Sequence, residues 1–538
     1  MARGCDRLSL DRTSGDRTSR DRTSGDRTSG PGLVRPRFLL MAGLAGLLLG
    51  CTVGPDFAPP PAPETKTYTE DGTPKLALAD AKETEQHFAM GRKISGDWWE
   101  LFHSQRLNDV LQQAIANNYT LASAKATLAQ ANQAVKQAGG ILYPQVDLAA
   151  GASRQRIANP QFGIGTPGPI TNLYTIGPTV SYNLDIFGGN KRNVEKQEAL
   201  AVYQEWQLDG AYLTLTGNAV AQAIGIASAR EQIKAVQSII ADDERNLKLV
   251  QSELAAGEAT QIDVQSAASQ LAADRTLLPP LRQQLSVARH ALSLLTGRAP
   301  GDWTPPDFDI TEFTLPGELP VVVPSELVHQ RPDILGAEAQ LHAASAGIGV
   351  ATAAQYPNLS LTAGIQQEAL SPTTLFHPAA TIFNIGGQLV APIFHGGALE
   401  AQKQGAIEAY NGALATYQQT VLTGFGQVAD VMEALAHDAE LLDAERRALV
   451  SAESSLQLTR TTYSYGNVGV LQVLDAQRLY EQARLGYIRA QIQRYQDTVL
   501  LFTAMGGGWW DWKERSAKAS AEAVSTSRTI TAGESQRR

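Results

Sequence analysis

Ile176, Pro178, Val180, Tyr182, Leu184 and Ile186 alternate with Thr175, Gly177, Thr179, Ser181, Asn183 and Asp185, the two-residue period of a strand with one apolar and one polar face. Gly188-Gly189 closes the run. No proline follows from Asn190 to Ala256, and Tyr212, Ala219, Ile226, Ile233, Ile240, Leu247 and Leu254 recur every seven residues. This pattern predicts one helix roughly 100 Å long at 1.5 Å per residue. The unit is made twice. A second strand begins near Ile382, turns at Gly396-Gly397, and leads into Leu414, Val421, Val428, Leu435, Leu442, Leu449, Leu456 and Tyr463, again seven apart. A period of seven sustained this far supercoils packed helices to the left. A plain coiled-coil stalk has no reason to alternate with amphipathic strands.

Each long helix is preceded by further structure and followed by a return. Leu107, Leu111, Ile115 and the Ala- and Gln-rich run Leu121 to Gln137 predict helix up to Gly139-Gly140. Val146, Leu148, Ala150 and Ala152 then alternate with Asp147, Ala149, Gly151 and Ser153 as a strand, and the proline-bearing stretch Asn159 to Asn172 reads as a loop. After Gly257 the chain returns through Leu281, Leu285, Ala288, Leu292 and Leu295, with Pro279-Pro280 expected to kink or split that helix. Arg298 to Pro324 holds six prolines and marks a seam. Beyond it the order restarts: helix over Ser325 to Gln355, a strand in which Leu359, Leu361, Ala363 and Ile365 alternate with Ser360, Thr362, Gly364 and Gln366, a loop, and the fourth strand. The second return carries Leu485, Ile488, Ile492, Tyr495, Val499 and Phe502 and ends at Gly506. Tyr143-Pro144 overlays Tyr356-Pro357, Leu128 overlays Leu341, and Gly257 and Gly297 overlay Gly466 and Gly506, which identifies an internal duplication.

Four such strands, each apolar on one face and polar on the other, suit a bilayer on one side and water on the other. An open sheet edge is not viable in lipid, and the smallest membrane barrels close with about eight strands. One chain cannot close a barrel. A trimer with about twelve strands is the simplest solution that leaves a lumen, and a dimer satisfies the same physical argument.

The amino terminus adds an export signal. Variants of Asp-Arg-Thr-Ser-Gly repeat from Asp11 to Gly30, a charged low-complexity run that cannot bury a core. Arg35 and Arg37 then precede the apolar stretch Phe38 to Leu49, too short for a bilayer and right for a signal peptide. Leu48-Leu49-Gly50-Cys51 resembles the bacterial lipobox, so Cys51 is expected to carry diacylglycerol and an N-acyl chain. Thr52 after it, in place of aspartate, points to the outer membrane. The only other cysteine is Cys5, which leaves no disulfide framework. Thr52 to Gly96, rich in Pro, Thr and Glu, reads as an extended tether.

Composition excludes more than it adds. Over 538 residues the net charge is −9 and hydrophobic content 43%, an ordered acidic chain without a nucleic-acid footprint. There is no phosphate loop, metal-ligand spacing or nucleophile elbow, so no enzyme, resident cofactor or metal is expected. His290, His342 and His437 read as surface or packed helix residues, and Asp242-Asp243-Glu244 as a solvated helix face. Met90, Met432 and Met505 are the only methionines outside the amino-terminal segment, too few for a soft-metal relay.

Asp97-Trp98-Trp99, Asn117-Asn118, Leu278-Pro279-Pro280-Leu281, Arg331-Pro332-Asp333-Ile334 with Ala337-Glu338, and a glycine after each long helix occur in this order between Cys51 and Trp510. Together they resemble the TolC-like outer-membrane efflux channels, closest to the lipidated NodT-like branch. The resemblance implies a mostly α chain with a transmembrane β-barrel contribution: duplicated helical hairpins forming an α-helical barrel, and four strands per chain completing a trimeric 12-stranded barrel. On that basis residues 1–34 lie outside the mature protein, 35–50 are signal peptide, 51–96 the lipidated tether, 97–310 and 311–508 the two efflux repeats, and 509–538 a polar tail. It further implies partners: a periplasmic adaptor and an inner-membrane pump of the RND type, with outer-membrane lipid around the barrel. Gly257, Glu258, Ala259 and Thr260 in one turn and Val468, Gly469 and Val470 in the other are then the adaptor-docking tips. Asp475 is the candidate periplasmic gate, one carboxylate per chain around a threefold axis. The family often has a second aspartate where this chain has Gln472; in the first half Ser266 matches Asp475 and Asp263 matches Gln472, with Asp263 able to face neighbouring helices instead. A carboxylate favouring the first turn of its helix is the plainer reading of Asp475. A tunnel for type I protein secretion and a non-channel coiled-coil lipoprotein of the envelope remain alternatives at this point.

Overall fold

The computed structural model describes residues 52–76, 86–156 and 169–509, all within one unit, Cys51–Arg538. The low-complexity run, the signal segment, Cys51, most of the 159–172 loop and the tail from 510 lie outside the described residues. In chain order β1 is His87–Met90, α1 Gln105–Asn117, α2 Tyr119–Gly140, β2 Gln145–Arg156, β3 Ile170–Leu184 and α3 Gly189–Ala256. The first return is α4, Gln261–Arg275, and α5, Leu278–Leu295, followed by β4, Glu318–Val321, and α6, Pro324–Leu327. The second half continues with α7 Pro332–Ala353, β5 Asn358–Ala369, β6 Thr381–Val390, α8 Ala398–Ser464 and α9 Val470–Ala504.

The two expected long helices are present as α3, with 68 residues, and α8, with 67. Their seven-residue seams face inward where they meet neighbours: Tyr212, Ala219 and Ile226 are buried in α3, and Val421, Val428, Leu435, Leu442 and Leu456 in α8. α2, α5 and α7 pack along α3, α7 and α9 along α8, and α9 also touches α3, so the halves interlock. The first return splits at Thr276-Leu277, with Pro279 and Pro280 in the first turn of α5 where no amide hydrogen is needed. The second return runs unbroken. The helix expected over 325–355 begins late, because Arg331 precedes a proline and takes an extended conformation before α7.

β2, β3, β5 and β6 form one antiparallel sheet in that order. Val146 pairs with Val180, Val180 with Ala363, and Ala363 with Ile385, so the apolar positions of all four strands share one face. That face is bare: Leu148 is 73% exposed, Phe383 79% and Ile385 83%. Thr179, Ser181, Thr362, Gly364 and Asn384 occupy the other face. Among the described residues, no strand pairs with the outer edges of β2 and β6.

Below the sheet the principal core gathers around Trp98, Trp99, Phe102, Phe308 and Phe502. Trp98 stacks on Phe502 with ring centroids 5.2 Å apart. The motif residues serve this packing. Asn118 caps α2 by accepting from the Leu121 amide and donates 2.9 Å to the Leu295 carbonyl. Arg331 grips Asp333 through Nε and Nη2, the Ala504 carbonyl through Nη1 and Gln427 through Nη2.

The structure corrects two expectations. Residues 52–76 and 86–96 do not hang as a tether but lie on the body. The Val53 amide donates to the Phe187 carbonyl, Arg192 pairs with Asp56 at 2.6 Å, Phe57 stacks on His342, Tyr68 donates to the Val322 carbonyl, and β1 pairs in parallel with β4. Asp242-Asp243-Glu244 is also not a uniformly solvated face, because Asp243 is 2% exposed and sits among Asp274 and Glu481.

Candidate functional site

The two turns that end the long helices are built alike. At the first, the Gly257 amide donates to the Leu254 carbonyl and the Glu258 amide to the Glu253 carbonyl. At the second, Gly466 donates to Tyr463 and Asn467 to Thr462. This is the Schellman arrangement, which needs a left-handed residue after the helix. Gly257 at φ 82° and Gly466 at φ 74° supply it without the clash a Cβ would bring.

Beyond these glycines the two turns diverge. Thr260 and Asp263 form a capping box: the Thr260 hydroxyl accepts from the Asp263 amide, and the Asp263 carboxylate accepts from the Thr260 amide at 2.8 Å. Hydrogen bonds from the Thr260 hydroxyl and amide hold the Asp263 carboxyl below its ordinary range. Gly469 precedes α9 with no side-chain cap. Its φ of −85° and ψ of 168° are extended backbone, open to any residue.

Gly257, Glu258, Thr260 and Gly469 are exposed, and Ala259 and Val468 are partly covered. Val470 is not surface; it is buried against Val250 and Val264, with Leu247, Leu254, Ala259, Tyr463 and Leu474 around them. That small cluster joins the two turns side by side. Tyr463 of α8 adds a hydrogen bond to Glu253 of α3, and burial followed by that carboxylate pushes its phenol pKa up.

Asp475 lies in the second turn of α9 and not the first, so the dipole-favoured capping position expected for it is not where it sits. Its side chain is 74% exposed, with Arg478 at 3.6 Å. Leu471, Asp475 and Arg478 share an exposed stripe, whereas Val473, Ala476, Gln477 and Glu481 on the opposite side are buried. Ser266 and Gln472, the other positions compared with Asp475, are partly covered and exposed respectively.

Sequence reasoning missed the polar layer just above the turns. Gln477 donates 2.7 Å to Asp243 and 2.9 Å to Glu481, and its carbonyl oxygen accepts from Asn246 and Arg460. The signal was present, because Asp243 stands three residues after Ile240 and four before Leu247 and thus falls on the apolar seam.

The profile of a family described as Outer membrane efflux protein matches residues 110–298 and 323–507. The Pyoverdine export outer membrane protein OpmQ of Pseudomonas aeruginosa is 31% identical over 433 residues, 79% of this chain and 90% of that one. The Probable outer membrane lipoprotein SilC of Salmonella typhimurium is 26% identical over 473 residues, 88% of this chain and 98% of that one. Among solved structures, the outer-membrane channel OprN superposes with a TM-score of 0.77 at 26% identity, covering 85% of this chain and all of that one.

Proposed function

We infer the working state of this protein from one premise: the chain belongs to the outer membrane efflux protein family. It is an outer-membrane channel component of an efflux system. The observation that carries the working state is the sheet, whose four strands of 10 to 15 residues have one bare apolar face and two free edges among the described residues. Three copies joined edge to edge give about twelve strands, enough to close around a lumen with the apolar face toward lipid. The long hairpins then continue the barrel as a helical tunnel into the periplasm. Export through it is passive, with substrates supplied by an inner-membrane pump of the RND type through a periplasmic adaptor seated on the two turns. Cys51 carries the acyl chains. This fits the placement of residues 52–56, which are held against the start of α3 where β3 ends.

Cys51→Ser should therefore lose its lipid and still purify as a trimer that conducts in a planar bilayer, because the barrel itself holds the membrane. A monomeric, non-conducting protein, with or without Cys51, would remove the channel architecture.

Asp475, exposed on α9, forms a ring of three carboxylates at the closed periplasmic mouth of that trimer. Such rings select cations and bind multivalent ones. Single-channel currents of Asp475→Asn should show weaker block by La3+ from the periplasmic side and lower cation selectivity than wild type. Unchanged block and selectivity would leave Asp475 as a surface carboxylate paired with Arg478.

A further inference from the structure

The two halves of the chain are copies, and the hairpin registers fix how they correspond. Gln145 faces Ser181 in the first half, and Asn358 faces Val390 in the second. β2 thus matches β5 in the frame that sets Tyr143 on Tyr356, and β3 matches β6 in the frame that sets Gly257 on Gly466. Between the halves β3 pairs antiparallel with β5, with Thr179 opposite Gly364, Val180 opposite Ala363 and Ser181 opposite Thr362. Each half has one edge in this seam and one outside it. The outer edges, on β6 and β2, belong to the strands that match β3 and β5, and among the described residues no strand lies beside them.

The helices repeat the relation. α3 of the first half lies on α7 of the second, and at three levels a glycine lets them approach. A Cβ on Gly189 would stand 3.0 Å from the Ala353 Cβ, one on Gly349 would stand 2.8 Å from the Arg192 side chain, and one on Gly336 would stand 3.5 Å from Tyr203 and 3.6 Å from Trp206. The matching residues of α8 and α2 are Ala398 and Gly140, Ala401 and Lys136, and Gly412 and Ala415 with Ser123. A small residue again stands at every level, and each time the smallest has changed sides. A bare surface has no need of such an exchange, whereas two closely packed helices do. In the single chain these positions are uncovered. α7 has buried residues from Pro332 to Ala351, but α2 has only Leu121 and Ala138, and α8 has none before Tyr417.

We propose that the joint between neighbouring chains repeats the joint between the halves of one chain. β6 of one protomer pairs antiparallel with β2 of the next, Gln388 opposite Gly151, Leu389 opposite Ala150 and Val390 opposite Ala149. The first part of α8 lies along α2 of that same neighbour, Ala398 against Gly140 and Ala401 under Lys136. The occupant is a second copy of this chain, because that copy carries the matching strand edge and the matching helix on one body. An open edge accepts a strand, but a foreign strand would bring neither the register nor the helix below it. Each chain offers β6 on one side and β2 on the other, so the contact is head to tail and propagates around a ring. The joint rests on the assembly of copies proposed above and adds to it the surface, the register and the direction in which the ring is built.

Cysteine pairs in the full-length protein test it. β2 and β6 stand at opposite edges of one sheet, three strand spacings or about 14 Å apart. That is too far for a disulfide, so any bond between them joins two chains. Oxidised Ala149→Cys with Val390→Cys should run on a denaturing gel as a covalent trimer and return to monomer on reduction. Either single variant, and the unsubstituted chain, should run as monomer throughout. Asp147→Cys with Val390→Cys, two residues out of register, should link about tenfold more slowly. Gly140→Cys with Ala398→Cys should give the same covalent trimer through the helices, at a site where a Cβ on Gly140 meets nothing in the single chain. Single-channel conductance after reduction reports that the variants assemble. Conducting variants in which either aligned pair fails to link, or in which the displaced pair links as fast as the aligned one, overturn the joint while leaving the channel standing. A monomeric, non-conducting wild type removes the assembly and the joint with it.

Discussion

Trp98→Ala is expected to destabilise the protein by about 3–5 kcal/mol, the range for emptying a buried aromatic site. Trp98 is 0% exposed. Its ring stacks on Phe502 at the end of α9 and meets Trp99 and Phe102 edge-on at 6.0 and 6.4 Å. It therefore connects the amino-terminal segment to the last helix of the second repeat, and removing it leaves a cavity between elements that are far apart in sequence. Phe102 and Phe502 are themselves fully buried, so little can collapse into the space. Trp98→Phe separates packing from polarity. The indole nitrogen of Trp98 is buried with no hydrogen-bond partner among the described residues, so phenylalanine sacrifices ring volume but no bond, and relieves an unsatisfied donor. The measurement is the temperature at which the purified oligomer melts. Trp98→Ala should melt well below wild type and Trp98→Phe close to it; equal melting of Trp98→Ala and wild type would show that this cluster does not hold the halves together.

What was legible in the sequence is what repeats. A two-residue period with opposite faces has one structural solution, and a seven-residue period over more than sixty positions has another, so β3, α3, β6 and α8 fell close to their expected places. The duplication followed from glycines that end helices, since Gly257 and Gly466 are both required by the same left-handed turn. Pro279-Pro280 announced a break that occurs two residues earlier, because proline fits the first turn of the helix that restarts.

Features carried by single contacts were not legible. The stretch 52–96 has the composition of a solvated linker, yet residues 52–76 and 86–96 are held by a buried cation at Arg192, a tyrosine hydroxyl at Tyr68 and a four-residue strand. None of these leaves a periodic trace. Asp243 is hidden differently: its neighbours Asp242 and Glu244 are paired outward with Arg245 and Arg275, so the run has the composition of a solvated face around one buried acid. The turn of α9 that Asp475 occupies is not legible because Gly469 offers no capping side chain to mark where α9 begins, whereas Thr260 and Asp263 mark the start of α4.

Gly469→Trp should abolish export while leaving the channel assembled. The two glycines of this turn differ in what a new side chain does to the chain itself. At Gly466, φ is 74° and any L residue is strained, so loss of export there would report on folding as much as on docking. At Gly469 the backbone is extended, and an added Cβ would meet only the end of the Gln472 side chain at 3.2 Å. Gln472 is exposed and free to swing away. Tryptophan is thus compatible with the chain, and its bulk projects from the exposed turn beside Val468, where the adaptor is proposed to sit. A ring wedged there should weaken adaptor binding about a hundredfold, ~2.8 kcal/mol. In cells carrying the partner pump, export by Gly469→Trp should fall to background. The purified variant should keep its oligomeric state, melting temperature and single-channel conductance. Gly469→Ala, which adds one methyl in open backbone geometry, should export normally. If Gly469→Trp exported at the wild-type level, the second turn would not be a docking surface. If it lost conductance as well, the defect would lie in the channel and the docking role would lose this support. Because Val470, the next residue, is buried against Val250 and Val264, its replacement would disturb the joint between the two turns and cannot substitute for this test.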